Sequence, residues 1–146
     1  MRIMGLDYGS RTVGIAISDP NGRIAFPVET VTREEEVNLK ATVRRIRTLC
    51  EEQDVHLVVL GNPIRLDGGN STAAEKVKAF QKRLERDLYR VDVVLWDERL
   101  TTVQAERPLK DAGMDRIERK KVVDQMAAAI MLQAYLDVHG QEETKN

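Results

Sequence analysis

The chain has 146 residues, of which 42% are hydrophobic and 32% are charged, a composition typical of a globular domain. Its formal net charge is -1 at pH 7, so no overall positive field attracts nucleic acid, and local basic patches would have to hold a polyanionic partner. The single cysteine, Cys50, excludes an intramolecular disulfide and fits a reducing compartment. The start of the chain has no signal-peptide pattern, and no apolar run reaches membrane-spanning length. We therefore expect a cytoplasmic protein without a membrane partner.

Two apolar strands joined by a short turn are predicted at the start of the chain, over residues 2–7 and 12–18. The sequence DPNG at positions 19–22 is a strong turn signal. Residues 23–31 then form a third predicted strand, in which Pro27 favours an edge position. Because both connections are short, the three strands are expected to form an antiparallel meander.

Helices and strands alternate through the rest of the chain. The predicted order is a helix over 33–53, a strand over 55–60, a helix over 71–89, a strand over 91–96, a helix from Thr101 that Pro108 interrupts, and a last helix over about 120–138. Strands joined through helices run parallel by right-handed crossovers. We expect one domain over residues 1–139, followed by a polar tail over 140–146.

Acidic residues follow the strands that are expected to run in parallel. Asp7 stands at the end of the first strand, where an apolar residue is expected and an unpartnered carboxylate is costly to bury. Asp97 and Glu98 follow the strand over 91–96, and Asp124 borders the apolar face of the last helix. Since open α/β sheets bind ligands at the carboxyl ends of their strands, these acids are predicted to meet at one edge.

Clustered carboxylates repel one another unless a cation lies between them. Oxygen ligands of this kind suit Mg²⁺ or Mn²⁺, and two such ions can clamp a phosphodiester during hydrolysis. Simpler interpretations stay open at this point. Asp7 could be a buried aspartate satisfied by backbone donors, Glu98 could pair with Arg99 or cap a helix at Thr101, and Asp124 could complement the helix dipole.

Two lysines, Lys120 and Lys121, precede Asp124 where the dipole of a helix start disfavours cations. A polyanion bound beside the acidic edge would explain them, and so would an ordinary solvated surface. Trp96 is interpreted as a core residue, with base stacking as the minority alternative.

Three segments resemble motifs of the YqgF family, also called RuvX, within the ribonuclease H-like superfamily. They are GLDYGSRTVGIAISD at 5–19, WDERLTT at 96–102 and RKKVVDQMAAAIMLQAYLD at 119–137. The resemblance covers residues 2–138 and implies a ribonuclease H-like α/β fold. Its mixed five-stranded sheet has an antiparallel meander of strands 1–3 followed by parallel strands 4 and 5, flanked by helices. The segment GGNSTAAEK at 68–76 departs from the family pattern, as does Pro108.

The resemblance also implies a metal-dependent nuclease with Mg²⁺ or Mn²⁺ as cofactor, one or two ions, held by Asp7, Glu98 and Asp124 as catalytic residues and metal ligands. Members are described as Holliday junction resolvases or as nucleases that mature precursor 16S ribosomal RNA at its 5′ end. Precursor ribosomal RNA is the favoured substrate, branched DNA is the alternative, and the protein is expected to be a monomer or a homodimer. The residues expected to bind nucleic acid are Arg11, Arg65, Arg99, Arg119, Lys120 and Lys121.

Two interpretations from other classes remain open. The first motif also resembles the phosphate-binding hairpin of actin-like kinases and chaperone ATPases, which need two copies of the fold, whereas this length supplies one. A P-loop is excluded because Ile15 and Ala16 stand where Lys and Ser or Thr are required. A non-catalytic RNA-binding assembly factor would need the basic residues but not the carboxylates.

Overall fold

The computed structural model describes residues 1–62, 72–97 and 115–143 of the chain. The strands are β1 Arg2–Tyr8, β2 Thr12–Ser18, β3 Ala25–Thr32, β4 Val55–Asn62 and β5 Asp92–Asp97. The helices in these ranges are α1 Lys40–Gln53, α2 Thr72–Asp87 and α3 Arg116–Glu143. The predicted helix that begins at Thr101 lies outside the described residues. Among the described helices, none has the length and apolarity of a membrane span.

The strands form one sheet in the order β3-β2-β1-β4-β5. The pairs β3–β2 and β2–β1 are antiparallel, and β4 and β5 run parallel to β1. This topology confirms the predicted meander followed by parallel strands. It also makes β3 an outermost strand of the sheet, as Pro27 indicated. The carboxyl ends of β1, β4 and β5 lie together along a different side of the sheet, where these parallel strands end.

The two faces of the sheet carry separate cores because successive strand side chains alternate between faces. On one face, Met4 and Leu6 of β1 pack in a cluster with residues of α1 and α2. On the other face, Ile3 packs in a cluster with Ala128 and Leu132 of α3. Asp7 is two residues beyond Gly5 and four beyond Ile3, so it belongs to the α3 face of the sheet.

Two glycines on this face let α3 lie directly on the sheet. A Cβ atom at Gly5 would be 2.8 Å from the Cβ of Leu132 and 3.2 Å from the carbonyl oxygen of Ala128. A Cβ atom at Gly14 would collide with the backbone carbonyl of Asp124. The sequence predicted this close approach from small helix residues, and the structure shows that it also needs glycine on the sheet at positions 5 and 14.

The buried face of α3 differs from the predicted one. The sequence placed the apolar face on Val123, Met126, Ala127, Ile130, Met131 and Ala134. The buried residues are Asp124, Ala128, Met131, Leu132 and Leu136. Apolar residues cover most of this helix, so their spacing does not single out one face. As a result, Asp124 lies on the stripe that contacts the sheet and not at its border.

The helix α3 also begins earlier than predicted, at Arg116 instead of about 120, and ends later, at Glu143 instead of about 138. Asp115 caps the helix, because its carboxylate accepts the backbone N–H of Glu118 at 2.9 Å. The sequence carried this signal, since an Asp followed three residues later by Glu is a capping-box pattern. Asp124 consequently lies in the third turn of the helix.

The segment over 33–39 is not helical, contrary to prediction, and α1 begins at Lys40. Arg33 explains the difference. Its guanidinium donates to the carbonyl of Gly9 at 2.7 Å and to the carbonyl of Glu36 at 3.0 Å. Its backbone N–H donates to the carbonyl of Arg11 at 2.9 Å. These contacts tie the segment to the β1–β2 turn, and Val37, which was predicted on the helix face, is 84% exposed.

Candidate active site

Asp7 is half-buried near the carboxyl end of the central strand β1, and both neighbouring strands present glycine beside it. Gly14 of β2 is its direct partner in the antiparallel pair. On the other side, Gly61 of β4 follows Leu60, the partner of Leu6, and so occupies the position next to Asp7 on the same face. The carboxylate is therefore flanked on both strands by residues that have no side chain.

Asp124 reaches this place through the contact between α3 and Gly14. The backbone of Asp124 lies against Gly14, whose Cα is within about 4.5–5.5 Å of the Cα of Asp7 as a cross-strand partner. Asp124 is 8% exposed and is the one buried carboxylate among the described residues. Asp7 and Asp124, two of the three predicted acidic residues, therefore lie on the same face of the sheet, near the carboxyl end of β1.

A lysine ammonium already contacts the buried carboxylate. Nζ of Lys120 lies 3.2 Å from Oδ1 and 3.3 Å from Oδ2 of Asp124. The Lys120 side chain is 65% exposed, whereas that of Asp124 is 11% exposed. The sequence interpretation assigned Lys120 to nucleic acid and missed this pair, although the i,i+4 spacing on a helix indicates such a contact.

The third predicted ligand, Glu98, lies outside the described residues, directly after the end of β5. Asp97 is the last residue of that strand. Trp96 packs in the α3-side cluster and Leu95 packs against the cluster on the other face. By alternation, Asp97 belongs to the face opposite Asp7. Asp97 is therefore not the residue that would complete a cluster with Asp7 and Asp124.

The predicted nucleic-acid-binding residues that are described fall in two places. Arg119 and Lys120 line a cavity of about 300 Å³ at the start of α3, together with Arg116 and Val123. Lys121 is exposed next to them, and its carbonyl accepts the hydroxyl of Thr30 on β3. Arg11 is exposed at the β1–β2 turn. Arg65 and Arg99 lie outside the described residues.

Arg11 has basic neighbours that the sequence analysis did not single out. Lys76 of α2 forms an ion pair with Glu36, and this contact lowers the pKa of the Glu36 carboxyl, with smaller contributions from Arg33 and Arg11. Three cations therefore surround one acid on the α1–α2 side of the β1–β2 turn. No spacing in the sequence links these residues, because they come from a turn, a loop and a helix.

Trp96 packs between sheet and helix, as the core interpretation predicted. Its ring meets that of Tyr135 edge-on at 5.4 Å and that of His139 at 5.5 Å, while Tyr135 and His139 stack at 4.1 Å. Cys50, the single cysteine, is buried in the core between the sheet and α1, where burial raises the pKa of its thiol to about 12. This thiol is inert at neutral pH.

The described residues fit a divalent cation in part. Asp7 and Asp124 offer the oxygen ligands that Mg²⁺ and Mn²⁺ prefer. The Lys120 ammonium, placed nearly evenly between the two oxygens of Asp124, shows that this position accepts a positive charge. No group of three metal-binding side chains occurs within the described ranges, so a third ligand has to come from elsewhere.

These features define a ribonuclease H-like fold, the class to which resolvases belong. They are the order of the strands, the parallel strands β1, β4 and β5, and the packing of α3 over the end of β1 that carries Asp7. RuvC of T. thermophilus in complex with a Holliday junction substrate has a TM-score of 0.59 and 16% identity, over 99% of this chain and 97% of that chain. The Fowlpox virus resolvase in complex with Holliday junction DNA has a TM-score of 0.57 and 14% identity, over 94% of this chain and 98% of that chain.

The chain belongs to the RuvX family, described as Holliday junction resolvase, whose family model matches residues 1–138. A relative from Lachnospira eligens is 45% identical over 137 residues, 94% of this chain and 97% of its own. A relative from Lactobacillus gasseri is 48% identical over 139 residues, which cover 94% of this chain and 96% of the relative. Both relatives are provisionally named pre-16S rRNA nuclease. The resemblance that the sequence motifs indicated is thereby confirmed.

Proposed function

We propose that this chain is a divalent-metal-dependent nuclease that hydrolyses phosphodiester bonds in structured nucleic acid, with the 5′ end of precursor 16S ribosomal RNA as its substrate. The observation that carries the chemistry is that Asp7 and Asp124 lie on one face near the carboxyl end of β1, where the Lys120 ammonium pairs with Asp124. The substrate is supported by the names of relatives that match nearly the whole chain at 45% and 48% identity.

Asp7, Asp124 and Glu98 are the residues proposed to hold Mg²⁺ or Mn²⁺, as one or two ions. When bound, the metal supplies activation of a water molecule and stabilises charge on the phosphate oxygens. The chain itself supplies rigid placement. Asp7 is held by the central strand, and Asp124 is held where α3 contacts Gly14. Carboxylates fixed before the substrate arrives need little reorganisation during the reaction.

The basic residues around the edge are proposed to position the nucleic-acid backbone. Arg119, Lys120 and Lys121 lie on the α3 side, and Arg11 lies at the β1–β2 turn. Arg65 and Arg99 complete the proposed set. Lys and Arg contacts to phosphates orient a nucleic acid without reading its sequence, so these residues are proposed to position the substrate and not to select a base sequence.

A second candidate function is resolution of Holliday junctions, because the family is described by that activity. The hydrolytic chemistry at the carboxylates would be the same. The two functions differ only in the nucleic acid that the basic residues receive, branched DNA in one case and folded RNA in the other.

Cleavage by the purified full chain tests both functions and the rival interpretations. End-labelled precursor 16S RNA and a four-way DNA junction are incubated with Mg²⁺, Mn²⁺ or EDTA, with an unbranched DNA duplex as control. We expect metal-dependent cleavage of the RNA near the mature 5′ end. Cleavage of the junction alone would establish the second function. RNA binding without cleavage in either metal, or steady ATP hydrolysis without any cleavage of nucleic acid, would overturn the nuclease proposal.

The extent of the nuclease domain is also part of the proposal. Residues 1–139 are proposed to carry the activity, and residues 140–146 to be dispensable for it. A chain that ends after His139 should cleave at the rate of the full chain. The same proposal places the protein in the cytoplasm, the compartment that holds precursor ribosomal RNA in bacteria.

A further inference from the structure

We propose that Lys120 couples metal binding to nucleic-acid binding: it holds the Asp124 carboxylate when no metal is bound and contacts a substrate phosphate once a metal takes its place. The inference rests on the proposed function and deepens it. It gives Lys120 a positioning role toward Asp124 that is separate from general attraction of a polyanion.

The geometry of the pair carries the first half of this proposal. The ammonium lies 3.2 and 3.3 Å from the two oxygens of Asp124, which is the position that a cation shared by both oxygens takes. Asp124 is 8% exposed, and a buried carboxylate without a partner is costly. Lys120 therefore neutralises Asp124 in the metal-free protein and holds the orientation of its carboxyl group.

The exposure of Lys120 supports the second half of the proposal, in which Lys120 leaves Asp124 and contacts a substrate phosphate. Its side chain is 65% exposed, so the pair is open to water on the lysine side, and such pairs are weak. Lysine has a flexible stem and a strongly hydrated ammonium that can exchange partners. The cavity that Lys120 lines with Arg116 and Arg119 offers another position, where a phosphate would meet three cations.

Lys121 provides a matched comparison on the same turn of α3. It carries the same charge one residue further along, and its side chain is exposed. Its backbone carbonyl is bound by the Thr30 hydroxyl, and no salt bridge to Asp124 forms from it in the described part of the chain. Removing its charge alters the general field at the site but leaves the Asp124 pair in place.

The exchange of partners links the two binding events. A metal that displaces Lys120 from Asp124 frees one cation for the substrate, so metal should strengthen nucleic-acid binding. By thermodynamic reciprocity, nucleic acid should strengthen metal binding by the same factor. Without Lys120 the metal has no competitor, and the extra phosphate contact cannot form.

Titration calorimetry of the full chain with Mn²⁺, without nucleic acid, tests the first half. Lys120→Gln should bind Mn²⁺ about threefold or more tightly than the wild type, since a competing pair is removed. Lys121→Gln should change the affinity clearly less, and Lys120→Arg should stay near the wild type. Equal gains in Lys120→Gln and Lys121→Gln would overturn the inference. A wild type that binds no Mn²⁺ would instead overturn the proposed function.

A salt series tests the second half, using a precursor RNA fragment with Ca²⁺ or EDTA and with intact RNA verified in each sample. In the wild type, Ca²⁺ should steepen the log–log dependence of affinity on salt by about 0.7–0.9, the contribution of one phosphate contact. In Lys120→Gln the slope should be the same with and without Ca²⁺, while Lys121→Gln should keep the increase. A metal-dependent increase that persists in Lys120→Gln would overturn the coupling.

Discussion

Gly14 of β2 lies directly opposite Asp7 of β1, and the backbone of Asp124 occupies the space where a side chain at position 14 would lie. One glycine thus lets the backbone of Asp124 lie beside the strand position that pairs with Asp7, although the two acidic residues are far apart in sequence. Any larger residue there must push α3 away from the sheet, and with it Asp124 away from Asp7.

The first prediction tests this relationship with Gly14→Ala. We expect it to lower the free energy of unfolding by about 1–3 kcal/mol, as other overpacked sites do, and to weaken Mn²⁺ binding strongly. Urea denaturation and calorimetry measure the two effects. Gly5→Ala is the matched control, because its Cβ would crowd Leu132 and Ala128 at 2.8 and 3.2 Å. It should cost similar stability with little loss of metal affinity; equal losses of metal affinity in both variants would contradict the proposed geometry.

The second prediction concerns the proposed metal ligands. Asp7→Asn, Glu98→Gln and Asp124→Asn should each reduce cleavage by more than about 100-fold, since loss of a direct ligand costs at least as much as loss of its supporting contacts. Circular dichroism should show folded protein in all three. Asp97→Asn is the control, because Asp97 belongs to the opposite face of the sheet from Asp7. A fully active variant of any of the three would remove that residue from the mechanism.

The third prediction addresses the basic residues on α3. Arg119→Ala and Lys121→Ala should each flatten the dependence of log affinity on log salt concentration by about 0.7–0.9, one phosphate contact each. Fluorescence anisotropy with labelled RNA over a salt series measures the slope. Lys82→Ala, an exposed lysine of α2, is the control and should leave the slope unchanged. An unchanged slope in the α3 variants would mean that this part of the helix faces away from the substrate.

The fourth prediction concerns pH and the β2–β3 turn. The carboxylate of Asp19 accepts the backbone N–H groups of Arg23 at 2.7 Å and Ile24 at 2.9 Å. The Ile24 bond and then the Arg23 bond lower the pKa of Asp19 in the folded protein. A lowered folded pKa means that Asp19 stabilises the fold above its unfolded pKa of about 3.9, and that this stabilisation is lost as pH falls through the folded pKa.

Asp19→Asn should therefore lower the free energy of unfolding at pH 7 by an amount on the order of 1 kcal/mol. The difference from the wild type should stay constant between about pH 6 and pH 8 and shrink below about pH 4. Urea denaturation across this range measures it. A difference that does not fall on acidification would show that the charge of Asp19 contributes nothing and that only its hydrogen-bonding geometry matters.

Much of the architecture followed from the sequence alone. The short turns determined that β1, β2 and β3 form a meander, and the helical crossovers determined that β4 and β5 run parallel to β1. Together these placed Asp7 at the carboxyl edge of the sheet. The three motifs indicated the RuvX family, because they combine residue types and spacings that few folds share. Local pattern suffices for such features, since turns, crossovers and motifs each act over a short stretch of chain.

Tertiary structure decided how the site is assembled. The apolar residues of α3 surround most of the helix, so periodicity could not show that Asp124 faces the sheet; the space above Gly5 and Gly14 selects that face. The non-helical segment before α1 likewise depends on Arg33 reaching Gly9 across the fold. The partner of Lys120 also follows from this packing, because it places the buried Asp124 carboxylate where the Lys120 ammonium reaches it. These contacts join residues that only the packed chain brings together.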